Sequence, residues 1–168
     1  YELGAPNAPN IDYDAFDKVG KTSFGDAEIS EDGNTLWIAN LAQTALISVD
    51  VSGTTLPGTV NQYILTGLPS CNNGVFRIFG IKNYRGSLYV GGVCTGENGG
   101  VLFSTDQTAF VLKYDAENIA GGYTIALTFP LNYTRESVGG NGGARWKPWS
   151  SVWNSNFLIQ NYKYPEAI

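Results

Sequence analysis

The sequence predicts an all-β protein on three observations. Short runs of alternating apolar residues are separated by turn residues, the same order of runs returns after about 50 residues, and no stretch sustains a 3.6-residue apolar period. Residues 1–24, with Pro6, Asn7, Pro9 and Asn10, read as an extended leading segment, because proline fixes φ and withdraws a backbone donor. From Gly25 the pattern changes, and residues 26–30, 35–40 and 45–51 read as strands. Between the first two, Glu31-Asp32-Gly33-Asn34 supplies the Asp-Gly step of a tight hairpin, where glycine takes positive φ without steric cost. Residues 41–44 are few enough to join antiparallel neighbours, and Gln62-Tyr63-Ile64-Leu65 adds a fourth run.

The second copy begins with a strand at residues 78–81 and a turn at Asn83-Tyr84-Arg85-Gly86. Strands at 87–93, 110–115 and 123–129 follow. Leu36, Trp37 and Ile38 match Leu88, Tyr89 and Val90 at one constant offset, and Ile47-Ser48-Val49-Asp50 answers Leu112-Lys113-Tyr114-Asp115. Four antiparallel strands repeating at about 50 residues are the signature of a β-propeller blade. The expected fold class is therefore all-β, with about two complete four-stranded antiparallel propeller blades plus part of a third. Residues 25–131 would hold the two blades, at about 25–76 and 77–131. Residues 132–168 would form a Gly/Trp-rich loop and the start of a further blade. An open arc of blades leaves bare faces and unpaired edges. The expectation is that these residues are a segment of a longer polypeptide within a larger propeller, with coverage by another chain as the alternative.

Composition narrows the function. A chain of 168 residues, 43% hydrophobic and 15% charged, has the make-up of one globular domain able to bury a core. With 10 basic residues against 15 acidic ones and a net charge of −5, it lacks the basic patch that nucleic acid requires. The apolar stretches are too short to span a bilayer as a helix, and no basic segment followed by an apolar one opens at Tyr1. Histidine is absent, so Ser/His and Cys/His catalytic pairs cannot be built from these residues. Cys71 and Cys94 lie in a Gly-, Asn-, Thr- and Tyr-rich chain typical of secreted β proteins. A disulfide between them is the favoured reading, with two buried thiols in neighbouring strands as the alternative.

The run Ser30-Glu31-Asp32-Gly33-Asn34-Thr35-Leu36-Trp37-Ile38-Ala39-Asn40, followed by Ile47-Ser48-Val49-Asp50, resembles the blade motif of YVTN-type and lactonase-like β-propellers. With Phe24-Gly25-Asp26, the segment Leu88–Cys94, Trp146-Lys147-Pro148-Trp149 and Tyr164-Pro165, the chain is similar to the propeller region of large secreted bacterial surface proteins, which often continue into Ser/Asp-repeat-type B-domains. The resemblance implies an extracellular or cell-surface setting and a propeller of unassigned activity. A propeller scaffold hosts enzymes, binding modules and adhesive domains alike, so the motif specifies fold and leaves function open.

Candidate sites follow from residue type. Asp12, Asp14 and Asp17 supply three carboxylates on a short segment, the kind of oxygen donors calcium takes, but without the spacing of an EF-hand loop. Solvated loop charge is the competing reading. Asp26 and Glu28 alternate on an innermost strand, where side chains would face a central channel, so they are the second candidate for a calcium-type site. The second copy presents Gly80 and Lys82 at the matching places. Trp146, Trp149 and Trp153 could stack on sugar rings or anchor a protein, or could instead fold back as packing. Asn132-Tyr133-Thr134 is a glycosylation sequon.

The functional expectation is a non-enzymatic secreted or cell-surface module, adhesin-like or assembling, that requires no cofactor apart from calcium if the carboxylates hold it. Its partners would be a glycan, a protein or further copies of itself, with no nucleic acid and no membrane span. The alternatives are a metal-dependent lactonase-like hydrolase working through Asp26 and Glu28, and a subunit of an extracellular filament.

Overall fold

The computed structural model describes residues 18–55, 58–98, 106–133 and 149. Among the described residues eight strands form two separate four-stranded antiparallel sheets in simple up-and-down order. The first sheet holds β1 (Phe24–Ile29), β2 (Thr35–Asn40), β3 (Ala45–Asp50) and β4 (Val60–Ile64). The second holds β5 (Phe76–Tyr84), β6 (Ser87–Cys94), β7 (Thr108–Asp115) and β8 (Tyr123–Pro130). A 3₁₀ turn, Ile119–Gly121, links β7 to β8 and is capped by the Asn118 side chain accepting from Gly121 N.

The repeat read from the sequence is a repeat in space. Trp37 pairs with Ser48 and Tyr89 with Lys113, while Ile38 pairs with Ile47 and Val90 with Leu112, so matching residues occupy matching registers. Each first strand also carries an irregularity at the same place, between Phe24 and Ala27 in β1 and between Ile78 and Ile81 in β5. Such bulges bend and twist the strand that carries them. The hairpin turns differ: the first closes through Gly33 N donating to Ser30 O at 2.9 Å, and the second is the two-residue step Arg85-Gly86. Arg85 and Gly86 both take positive φ, 50° and 71°, as a tight turn matching the strand twist requires.

Alternation decides what the sheets bury. In the first sheet Trp37, Ala39, Leu46 and Ser48 share one face and are buried against the second sheet. The second sheet answers with Ile78, Ile81, Leu88, Val90, Leu112 and Tyr114. One apolar core lies between the two. Tyr63 and Tyr123, on the outer strands, close its rim, and each meets a core aromatic in a tilted contact, Trp37 and Tyr114 respectively, with ring centroids 6.0 and 5.6 Å apart.

The strand expectations hold in order and pairing. β5 runs through Tyr84, beyond the expected end at residue 81, because the turn needs only Arg85 and Gly86. Neither sheet closes on itself. The expected further blade falls at residues 132–168, which lie outside the described residues apart from Asn132, Tyr133 and Trp149.

Candidate functional site

The carboxylates singled out in the sequence sit on the seam where β1 meets β5. Bulge faces bulge there: a Cβ on Gly25 would come within 2.8 Å of the Phe79 carbonyl and 2.9 Å of Leu41 Cδ2, so only glycine permits this approach. The close contact brings Asp26 Oδ2 to 3.1 Å from the Ile81 amide, which donates to it. Two residues on, Lys82 Nζ donates to Glu28 Oε1 in an ion pair. Beyond the strand end, the Arg85 amide donates to Glu31 Oε2 at 2.7 Å. Two carboxylates of β1 and one of the turn after it thus reach Ile81 and Lys82 of β5 and Arg85 of the turn beyond.

Among the described residues no three His, Cys, Asp or Glu side chains converge to hold a metal. Asp12, Asp14 and Asp17 lie outside the described residues. The reciprocal partners, the Lys82 ammonium and the Ile81 and Arg85 amides, were not singled out in the sequence. A signal did exist for one of them, since the matching position of Glu28 in the second copy carries the opposite charge, Lys82.

A second constellation gathers at the other end of the second sheet. Cys71 and Cys94 form a disulfide, with Cα atoms 5.3 Å apart, tying the segment before β5 to the end of β6. Beside it the buried Thr95 accepts from the Trp149 amide at 3.1 Å through its carbonyl, and from the Val75 amide at 3.2 Å through its hydroxyl. Trp149 is 2% exposed, with Lys21 Nζ 5.1 Å above its ring. Lys21 and Arg77 both pair with Glu97 at 3.3 Å, a small network sheltered from solvent. The structure therefore places Trp149 in packing. Trp146 and Trp153 lie outside the described residues. Asn132 is exposed just after β8, whereas Thr134 of its sequon falls outside.

Two turn carboxylates are held in the charged form. Asp32 lies below the usual carboxylate range because Ser30 Oγ and then the Asn34 amide and side chain donate to it. Asp50 is lowered by the hydroxyl and amide of Ser52. Burial pushes the Tyr114 phenol up to about 12, helped by Tyr123 beside it. These are structural settings: two Asx turns and a core tyrosine. A shallow open cleft at the turn end of the second sheet is lined by Lys113, Tyr114, Asp115, Tyr123 and Thr124.

The described residues thus define an all-β unit of two like sheets, packed face to face and pinned along one seam by carboxylates. In sequence the chain is similar to two proteins of Dictyostelium discoideum. It is 28% identical to Colossin-C over 140 residues, covering 79% of this chain and 13% of that protein. It is 29% identical to Colossin-B over 128 residues, covering 76% of this chain and 3% of that protein. The chain therefore spans a small fraction of either relative's length. No family model matches, and no solved structure matches.

These findings overturn the resemblance to YVTN-type and lactonase-like propellers of bacterial surface proteins. The relatives are Dictyostelium proteins, and the described chain is two separate open sheets. The motif misled for a physical reason. An Asp-Gly turn followed by an alternating strand is what any tight antiparallel hairpin demands, so it carries local geometry and no lineage. No described helix is long and apolar enough to cross a membrane.

Proposed function

We propose that the chain is a non-enzymatic extracellular structural module, whose two sheets act as successive blades of a larger assembly that binds a glycan or protein partner at the cell surface. The observation that carries this reading is the seam: Asp26 and Glu28, the carboxylates that a channel-facing site would use, are each engaged by the neighbouring sheet. The disulfide supports an oxidising compartment. The small share of Colossin-C and Colossin-B that the chain matches supports a modular part in a long protein. In this reading the exposed Asn132 is a glycosylation acceptor.

The test pairs elemental analysis with binding. The purified chain and its Asp26→Ala variant are assayed for bound divalent metal and for hydrolysis of model lactones, and the chain is applied to cell surfaces and immobilised glycans with and without EDTA. The expected result is binding that survives chelation, with no hydrolysis. A stoichiometric ion lost in Asp26→Ala together with lactone hydrolysis overturns the reading.

A further inference from the structure

The core between the sheets is made from two unlike faces, and among the described residues the repeat leaves one of each unused. The first sheet buries its Trp37 face against the Leu88 face of the second. By register, the Leu88 face of the second sheet corresponds to the opposite side of the first, where Leu36 and Ile38 stand for Leu88 and Val90. That side is aliphatic. Val60 and Ile29 on it are 55% and 47% exposed, Leu36, Ile38 and Ile47 are half-buried, and no described residue of the second sheet packs there.

The outward side of the second sheet is, in turn, the counterpart of the Trp37 face. Tyr89 stands for Trp37, Gly91 for Ala39 and Val111 for Leu46. Leu127, paired with Val111, takes the place of Tyr63 and is 52% exposed. At these positions the two outer faces match the two already joined; the exception is Lys113, which stands where Ser48 is buried and holds its Nζ 5.9 Å from the Tyr89 ring centroid. Charge agrees as well. Glu28 holds Lys82 across the existing seam, and the position equivalent to Glu28 in the second sheet is Lys82 itself, its side chain 67% exposed. Repeating the same docking would set a copy's Lys82 against Glu28, opposite charges again.

We infer that the Leu36 face of the first sheet is a docking face for the outward Tyr89 face of the second sheet in another copy of this chain, joined head to tail. This rests on the reading of the sheets as blades, and it names the partner. A heterologous contact of this kind closes into a ring or extends as a filament according to its rotation. It is weaker than the internal contact, because Gly80 stands where Asp26 would supply a carboxylate to the next seam.

Sedimentation velocity of the 168-residue chain between about 1 and 100 μM covers the relevant affinity range. The expected result is a weight-average mass that at least doubles with concentration. Val60→Asp and Leu127→Asp each change a side chain more than half exposed, so both variants should fold, which strand circular dichroism and an intact Cys71–Cys94 bond would verify. Each should remain monomeric alone, and an equimolar mixture should form a 1:1 dimer, since each variant retains the face that the other lacks. A native chain that stays monomeric throughout overturns the inference. So does a Leu127→Asp variant that associates like the native chain, because that result assigns the contact to two Leu36 faces. Neither outcome bears on metal content or hydrolysis, so failure here is distinguishable from failure of the structural reading.

Discussion

Gly25 is the residue on which the seam turns. Its missing Cβ lets β1 approach β5 closely enough for Asp26 to reach the Ile81 amide, and the obstacle to any larger residue is the rigid Phe79 carbonyl. Gly25→Ala should therefore lower stability by about 1–3 kcal/mol, the usual cost of forcing atoms into a packed contact. Urea unfolding would read it, and an unchanged midpoint would show that the strands separate freely. Tyr114 offers a second residue-scale prediction through pH. Its phenol is buried, with no hydrogen-bond partner among the described residues, and burial raises its pKa from 10.0 to about 12. The folded state thus keeps a proton that the unfolded chain gives up, so this contribution to stability is whole below pH 10 and is lost as pH rises towards 12. Stability measured across that window should fall less steeply in Tyr114→Phe than in the native chain, and equal slopes would place the phenol in water.

At the scale of the element, the two carboxylate contacts along β1 are unequal in what they stabilise. Asp26 accepts from a backbone amide of the partly buried seam, so Asp26→Ala leaves the Ile81 donor unmatched and should cost about 1–3 kcal/mol. The Glu28–Lys82 pair is a different case. Lys82 is 67% exposed, and a solvent-facing ion pair contributes only about 0.2–1 kcal/mol. Glu28→Ala should accordingly be the milder change, and thermal or urea unfolding of the two variants would reveal any reversal of that order. The sequence made the strands legible because alternation and Asp-Gly or Arg-Gly turns are local signals. It also exposed the repeat, and with it the correspondence of Glu28 with Lys82. The pairing of those two residues was not legible, because it depends on how one sheet lies on another, and a row of acids on an inner strand reads equally as ligands or as staples until its neighbour is placed. Trp149 shows the same limit: a Trp-rich segment reads equally as a binding surface or as packing, and the burial of Trp149 beside Thr95 comes from a distant contact.

For the whole molecule, the two sheets share one core but are tied by different means at their two ends. The seam joins them near the β1–β2 and β5–β6 turns, while Cys71–Cys94 secures the connecting segment that leads from the first sheet into the second. That segment carries little regular structure between Ile64 and Phe76, so its order depends on a few anchors. They include Leu65 and Leu68 against the core, the Tyr123 hydroxyl donating to Gly67 O at 2.6 Å, Asn73 and Val75 hydrogen-bonded to Asp106 and Thr95, and the disulfide. Opening the bond restores freedom to a loop of ordinary size in the unfolded chain, and loops of that size contribute about 2–4 kcal/mol. Replacing Cys71 and Cys94 with serine should lower the unfolding free energy by that amount. It should also raise hydrogen exchange first in the amides between Ile64 and Phe76, while β2, β3, β6 and β7 at the centres of the sheets keep their protection. Uniform loss of protection across both sheets would instead mean that the bond holds the core itself, and that the two sheets do not unfold around a separately weakened connection.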